Sequence, residues 1–127
     1  MLPITALYTG LTGLAFAALS LYVSLRRKDL KLSKGDGGDR DTQTRIRQHA
    51  NFIEYAPITL LLIAMAEAQG APALVLHSAG IALLATRLGH FIGYGHPRGY
   101  RVRLASMTVC YLLLFALGLG LTGHALL

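Results

Sequence analysis

The sequence predicts an all-α fold: an integral membrane four-helix bundle with its N- and C-termini on the non-cytoplasmic side. Three observations predict it. Apolar residues make up 54% of the 127 and charged residues 14%, a balance that suits a membrane protein better than a soluble one. Four apolar stretches are separated by short polar connectors, and each is long enough to cross about 30 Å of hydrocarbon as a helix. Eleven of the twelve Lys and Arg residues fall in two patches, residues 26–47 and 98–103, and both patches flank apolar spans. A net charge of +6 alone is compatible with nucleic acid. Its distribution points instead to topology, with both basic loops on the cytoplasmic side and no nucleic-acid partner. The length suits one domain, residues 1–127.

The first span is expected over about residues 2–25. Pro3 fits a first helical turn, where a missing N–H costs little. No charge occurs between it and Arg26. Ala6, Gly10, Gly13 and Ala17 offer small surfaces for close helix packing. The segment lacks a positive n-region and a small-residue cleavage site, so it reads as a retained helix rather than a removable signal peptide. Arg26-Arg27-Lys28 ends it at the interface. Gly35-Asp36-Gly37-Gly38-Asp39 then reads as a turn-rich connector. No Lys-Ser/Thr follows those glycines, which excludes a phosphate-cradling loop.

The second span is expected over about residues 42–68, with Asp39, Asp41 and Thr42 as candidate caps and its membrane core from Ala50 onward. Pro57 lies inside it and is expected to free a backbone carbonyl and kink the helix. A short turn, Gln69-Gly70-Ala71-Pro72, leads to the third span, about residues 73–94. The loop 95–100 is short, polar and basic. The fourth span covers about residues 101–126. Cys110 is the single cysteine and sits in an apolar run, so it reads as a small buried hydrophobe. His77 reads as a packing residue, and Tyr8, Tyr22 and Tyr111 as packing or interface residues.

The polar residues inside these spans carry the functional signal. Arg47, Asn51 and Glu54 stand at i, i+4 and i+7 on one face of the second helix. Glu54 lies about 10 Å deeper than Arg47. A charge at the centre of a bilayer helix costs roughly 2.5–3.5 kcal/mol on insertion scales, so such a residue is usually kept for use. Arg87, His90 and Tyr94 stand at i, i+3 and i+7 on the third helix. Arg101 and Arg103 open the fourth at similar depth, and Arg26 and Arg27 close the first there. Several cations against one carboxylate call for a small polyanionic ligand, and the arginine fork binds carboxylate or phosphate in two-point fashion. The blander readings are a buried polar network that ties helices together and basic residues that meet anionic lipid head groups. No His/Cys/Asp group has metal-ligand spacing, so no metal site is expected.

With these residues the chain resembles the MAPEG family, membrane-associated proteins of eicosanoid and glutathione metabolism, and in particular its short bacterial members. The matching motifs are Arg47-x-x-x-Asn51-x-x-Glu54, extended by Tyr55 and Pro57, and Arg87-x-x-His90-x-x-x-Tyr94. Arg103-Leu104-Ala105 and the first-helix exit at Arg26-Arg27 agree as well. The resemblance implies a homotrimer in the bacterial inner membrane, with glutathione as cosubstrate bound between neighbouring subunits on the cytoplasmic side. It implies that Arg47, Asn51, Glu54, His90 and Tyr94 contact glutathione, with Arg87 and one or both of Arg26 and Arg27 at the same site. Arg103 is implied near the sulfur, with Arg101 as its competitor. Leu104 and Met107 stand where the prostaglandin-synthase branch has a serine and a tyrosine, which argues against that isomerase chemistry. The implied activity is glutathione transfer or peroxide reduction on hydrophobic electrophiles, through an arginine-stabilised thiolate. The alternative is a non-catalytic ligand-binding or scaffold member of the same fold. A small multidrug exporter is less favoured, because the membrane glutamate lies in the second span rather than the first.

Overall fold

The computed structural model describes residues 1–127 and contains four helices and no strand: α1 (Pro3–Asp29), α2 (Arg40–Ala68), α3 (Ala73–Gly95) and α4 (Tyr100–Leu126). Each is long and apolar enough to cross a membrane. The chain runs up and down, so both termini lie at the end away from the two basic loops.

The boundaries follow local chemistry. α1 runs past Leu25 to Asp29 because its last turn carries Arg26, Arg27 and Lys28, whose charge suits the exposed carbonyls of a helix C-terminus. Lys31, at φ 55°, breaks the helix in the left-handed region. α2 starts at Arg40 because Asp39 is its cap, accepting from Thr42 N at 2.8 Å and Thr42 Oγ1 at 2.7 Å. Asp39 also accepts from Arg26 Nη2 at 3.1 Å, which ties the end of α1 to the start of α2. The Arg26 guanidinium, helped by the Thr42 bonds, holds the Asp39 carboxyl well below the usual carboxylate range. Helix α2 continues through Pro57.

The start of α1 has no cap of its own. Glu67, from the far end of α2, supplies one: it accepts from Ile4 N at 2.9 Å, Thr5 N at 2.7 Å and Thr5 Oγ1 at 2.6 Å. A carboxylate suits the orphan N–H groups and positive dipole end of that helix.

Helices α2 and α3 form the middle of the bundle and pack on every other helix, whereas α1 and α4 do not touch. Two apolar clusters fill the centre. Ile63, Ala66, Leu76, Ala79 and Leu117 sit toward the termini, and Phe52, Ala56 and Leu83 sit toward the basic loops. Polar side chains cross between helices at several levels, each bond worth about 0.6 kcal/mol in such bundles. Tyr8 meets His77 Nδ1 at 3.1 Å, with its ring lying against Gly80. Gln48 Nε2 donates to the Phe91 carbonyl at 2.7 Å. His77, Tyr8 and Cys110 are thus packing residues, as their positions suggested. Helix α4 buries only Cys110 and Leu117, and Leu112, Phe115 and Leu119 face outward. In a bilayer such faces meet acyl chains at little cost.

Candidate functional site: a polar groove between α2, α3 and α4

A groove of about 360 Å³ opens at the basic half of the bundle, on the side of α2 away from α1. Helix α2 contributes Arg47, Asn51, Glu54 and Tyr55, one stripe at helical spacing. Helix α3 contributes His90 and Tyr94, whose rings stack with centroids 5.5 Å apart. Helix α4 contributes Tyr100, Arg103, Leu104, Met107, Thr108 and Tyr111. Six residues singled out in the sequence therefore share one cavity: Arg47, Asn51, Glu54, His90, Tyr94 and Arg103.

The two α2 charges face each other, Arg47 Nη1 to Glu54 Oε1 at 3.2 Å, and each side chain is about half exposed. Such a pair gains little in solvent and is readily exchanged for ligand contacts. Arg103 has no carboxylate partner. Its guanidinium lies 5.3 Å from the Tyr94 ring centroid and 5.7 Å from that of Tyr100. Close packing of α3 on α4 sets this position. A Cβ on Gly93 would come within 2.6 Å of Arg103 N and 2.8 Å of the Gly99 carbonyl oxygen, so only glycine lets the two helices approach here. The hydroxyls of Tyr55 and Tyr111 stand 3.5 Å apart at the deeper end.

Arg87 is placed behind the groove rather than in it. It is 4% exposed, and its Nη1 donates to Asn51 Oδ1. Arg101 is exposed at the start of α4 and does not line the cavity. Arg26 and Arg27 lie across the bundle, beside α1. Arg26 pairs with Asp39 and Asp41, and Arg27 Nε donates to the Gly35 carbonyl at 2.9 Å. Within one chain neither reaches the groove.

Comparison with known proteins follows the same pattern. The MAPEG family profile matches residues 5–123. The chain belongs to the MAPEG family. It is 40% identical over 116 residues to the inner membrane protein YecN of Escherichia coli strain K12, covering 90% of this chain and 88% of that protein. YecN of strain O6:H1 matches to the same extent. With four spanning helices and this relative, the MAPEG protein described here is an integral inner-membrane protein.

The MAPEG groove also contains residues that sequence reasoning passed over. Tyr100 and Thr108 are not among the candidates drawn from the sequence, and Tyr111 reads there as a packing or interface residue. The signal was present: Tyr100, Arg103, Leu104, Met107, Thr108 and Tyr111 stand at i, i+3, i+4, i+7, i+8 and i+11, one continuous face of α4.

Proposed function

We propose that this MAPEG protein binds glutathione in the α2–α3–α4 groove and acts as a membrane glutathione transferase or peroxidase on hydrophobic electrophiles. The observation that carries the reading is the meeting of Arg47, Asn51, Glu54, His90, Tyr94 and Arg103, from three helices, in one cavity. Glutathione carries two carboxylates, one ammonium, two amides and a thiol. The groove offers Arg47 for a carboxylate, Glu54 for the ammonium, and Asn51, His90 and tyrosine hydroxyls for the amides, which leaves Arg103 for the thiol. Its volume lies in the range of about 300–1,000 Å³ typical of small-molecule sites.

A free thiol is only a few per cent ionised at neutral pH. Arg103, with no carboxylate of its own, favours the thiolate. The thiolate forms a bond to an electrophilic carbon as the leaving group departs with the electron pair. In the peroxidase reaction, two glutathiones are oxidised to the disulfide while the peroxide O–O bond is reduced to an alcohol and water. The apolar cosubstrate arrives from the bilayer. Both basic loops face the cytoplasm, where glutathione is available, and both termini face away. Assembly as a homotrimer is part of the same proposal, with Arg26 and Arg27, which do not reach the groove within one chain, meeting the ligand from a neighbouring copy.

The test uses protein purified in detergent, glutathione, a generic aromatic electrophile and, separately, a lipid hydroperoxide. Turnover with either, lost in Arg103→Leu, supports an enzyme. Glutathione binding without turnover of any electrophile reduces the proposal to a ligand-binding member of the family.

A further inference from the structure

We infer that Arg87 acts on the site through Asn51 and not by touching the ligand: it locks the Asn51 carboxamide with its oxygen inward and its NH2 group toward the groove, so the ligand group seated there is a hydrogen-bond acceptor. The chemical class at that position is a carboxylate or amide carbonyl oxygen. The identification of that ligand as glutathione rests on the reading above; the orientation does not.

Arg87 is 4% exposed, between α2, α3 and α4, and no carboxylate of the chain pairs with it. A guanidinium has donors only, and it cannot shed its proton to escape burial. Its Nη1 donates to Asn51 Oδ1 and lies 3.4 Å from the Asn51 main-chain oxygen. Turning the carboxamide over would set two donors against each other at hydrogen-bond distance, next to a buried charge. The orientation is thus dictated by chemistry and holds for any rotamer that keeps the contact.

The other end of the amide has no comparable partner. Asn51 Nδ2 meets the Met107 sulfur at 3.7 Å, and Arg87 Nη2 meets the same sulfur at 3.9 Å. A thioether is a weak acceptor. Asn51 and Met107 line the groove and Arg87 does not. The Asn51 NH2 is therefore a donor for which the protein supplies only a sulfur that a ligand oxygen outcompetes. The Arg87 charge on its far side polarises the amide and strengthens that donor.

The experiment compares Asn51→Asp, Asn51→Leu and Arg87→Met in the full-length protein, by thermal unfolding and by glutathione titration. Asn51→Asp sets a carboxylate oxygen against Arg87, so its melting temperature stays at or above wild type. Asn51→Leu removes the Oδ1 partner and lowers it. The aspartate has lost the donor, so it binds glutathione at least about tenfold more weakly despite its stability. Arg87→Met frees the amide to turn and weakens binding to a similar degree. If Asn51→Asp destabilises as much as Asn51→Leu, the inward oxygen is wrong. If Asn51→Asp binds glutathione as wild type does, the donor assignment is wrong. If wild type binds no glutathione, the proposed function fails, and the thermal comparison still decides the orientation.

Discussion

Replacing Arg103 with leucine removes the one groove cation that no carboxylate of the chain engages. Arg47 is held by Glu54 at 3.2 Å, so its field at the thiol is partly cancelled. Arg87 lies behind Asn51. An opposite charge within about 4–6 Å lowers an acid's pKa by 1–3 units. Taking about 2 units, a thiol near 8.5 falls to about 6.5 when bound, and about three quarters of it is thiolate at neutral pH. Without Arg103 the fraction returns toward about 3%, a change of about 25-fold or roughly 2 kcal/mol. Residual help from Arg47 makes the expected rise in Arg103→Leu about 1–2 units. The assay is a pH titration of ultraviolet thiolate absorbance with glutathione bound. Arg103→Lys serves as the control that keeps the charge and loses the fork, and it should titrate between the two. A midpoint unchanged in Arg103→Leu, with glutathione still bound, refutes the assignment of Arg103 to the sulfur.

Other variants probe the scaffold. Gly93→Ala drives a Cβ into backbone atoms of Arg103 and Gly99, so it should lower the melting temperature and raise the bound-thiol midpoint together; an unaffected midpoint would detach Arg103 from the α3–α4 contact. Leu83→Ala opens a cavity at a fully buried position beside Phe52 and Ala56 and should cost about 2 kcal/mol, the low end of such changes because lipid is as apolar as leucine; reversible unfolding in mixed micelles measures it. The Asp39 carboxyl is depressed in the folded state, so its contribution is full above the unfolded value of about 3.9 and is lost as pH falls through the lower folded value. Thermal scans across that acidic window should therefore fall more steeply for wild type than for Asp39→Asn.

The four spans were legible because length and apolar run suffice to mark a membrane helix, and each came within a few residues of its expected limits. The α2 and α3 stripes were legible because a charge or amide inside such a run has few structural excuses. Glu67 was not: its partners, the N–H groups of Ile4 and Thr5, lie at the other end of a helix hairpin, and no local pattern announces a cap supplied from so far along the chain. Arg26 and Arg27 are grouped with the site by membrane depth and by the resemblance of the first-helix exit. Depth does not say which side of α2 a residue occupies, and within one chain α1 packs opposite the groove. Arg87 shows a related limit. Spacing puts it on the face of His90 and Tyr94, yet only the three-dimensional contact with Asn51 separates a residue behind the site from one in it. The α4 face was hidden among leucines, where tyrosine and threonine read equally well as packing.

The most direct test of the account is isothermal titration of glutathione into the purified protein in detergent, for wild type and for Glu54→Ala. The account predicts saturable binding for wild type and its loss or marked weakening in Glu54→Ala, whose fold is checked by the same melting curve as wild type. Absence of heat and of competition in both proteins would contradict it.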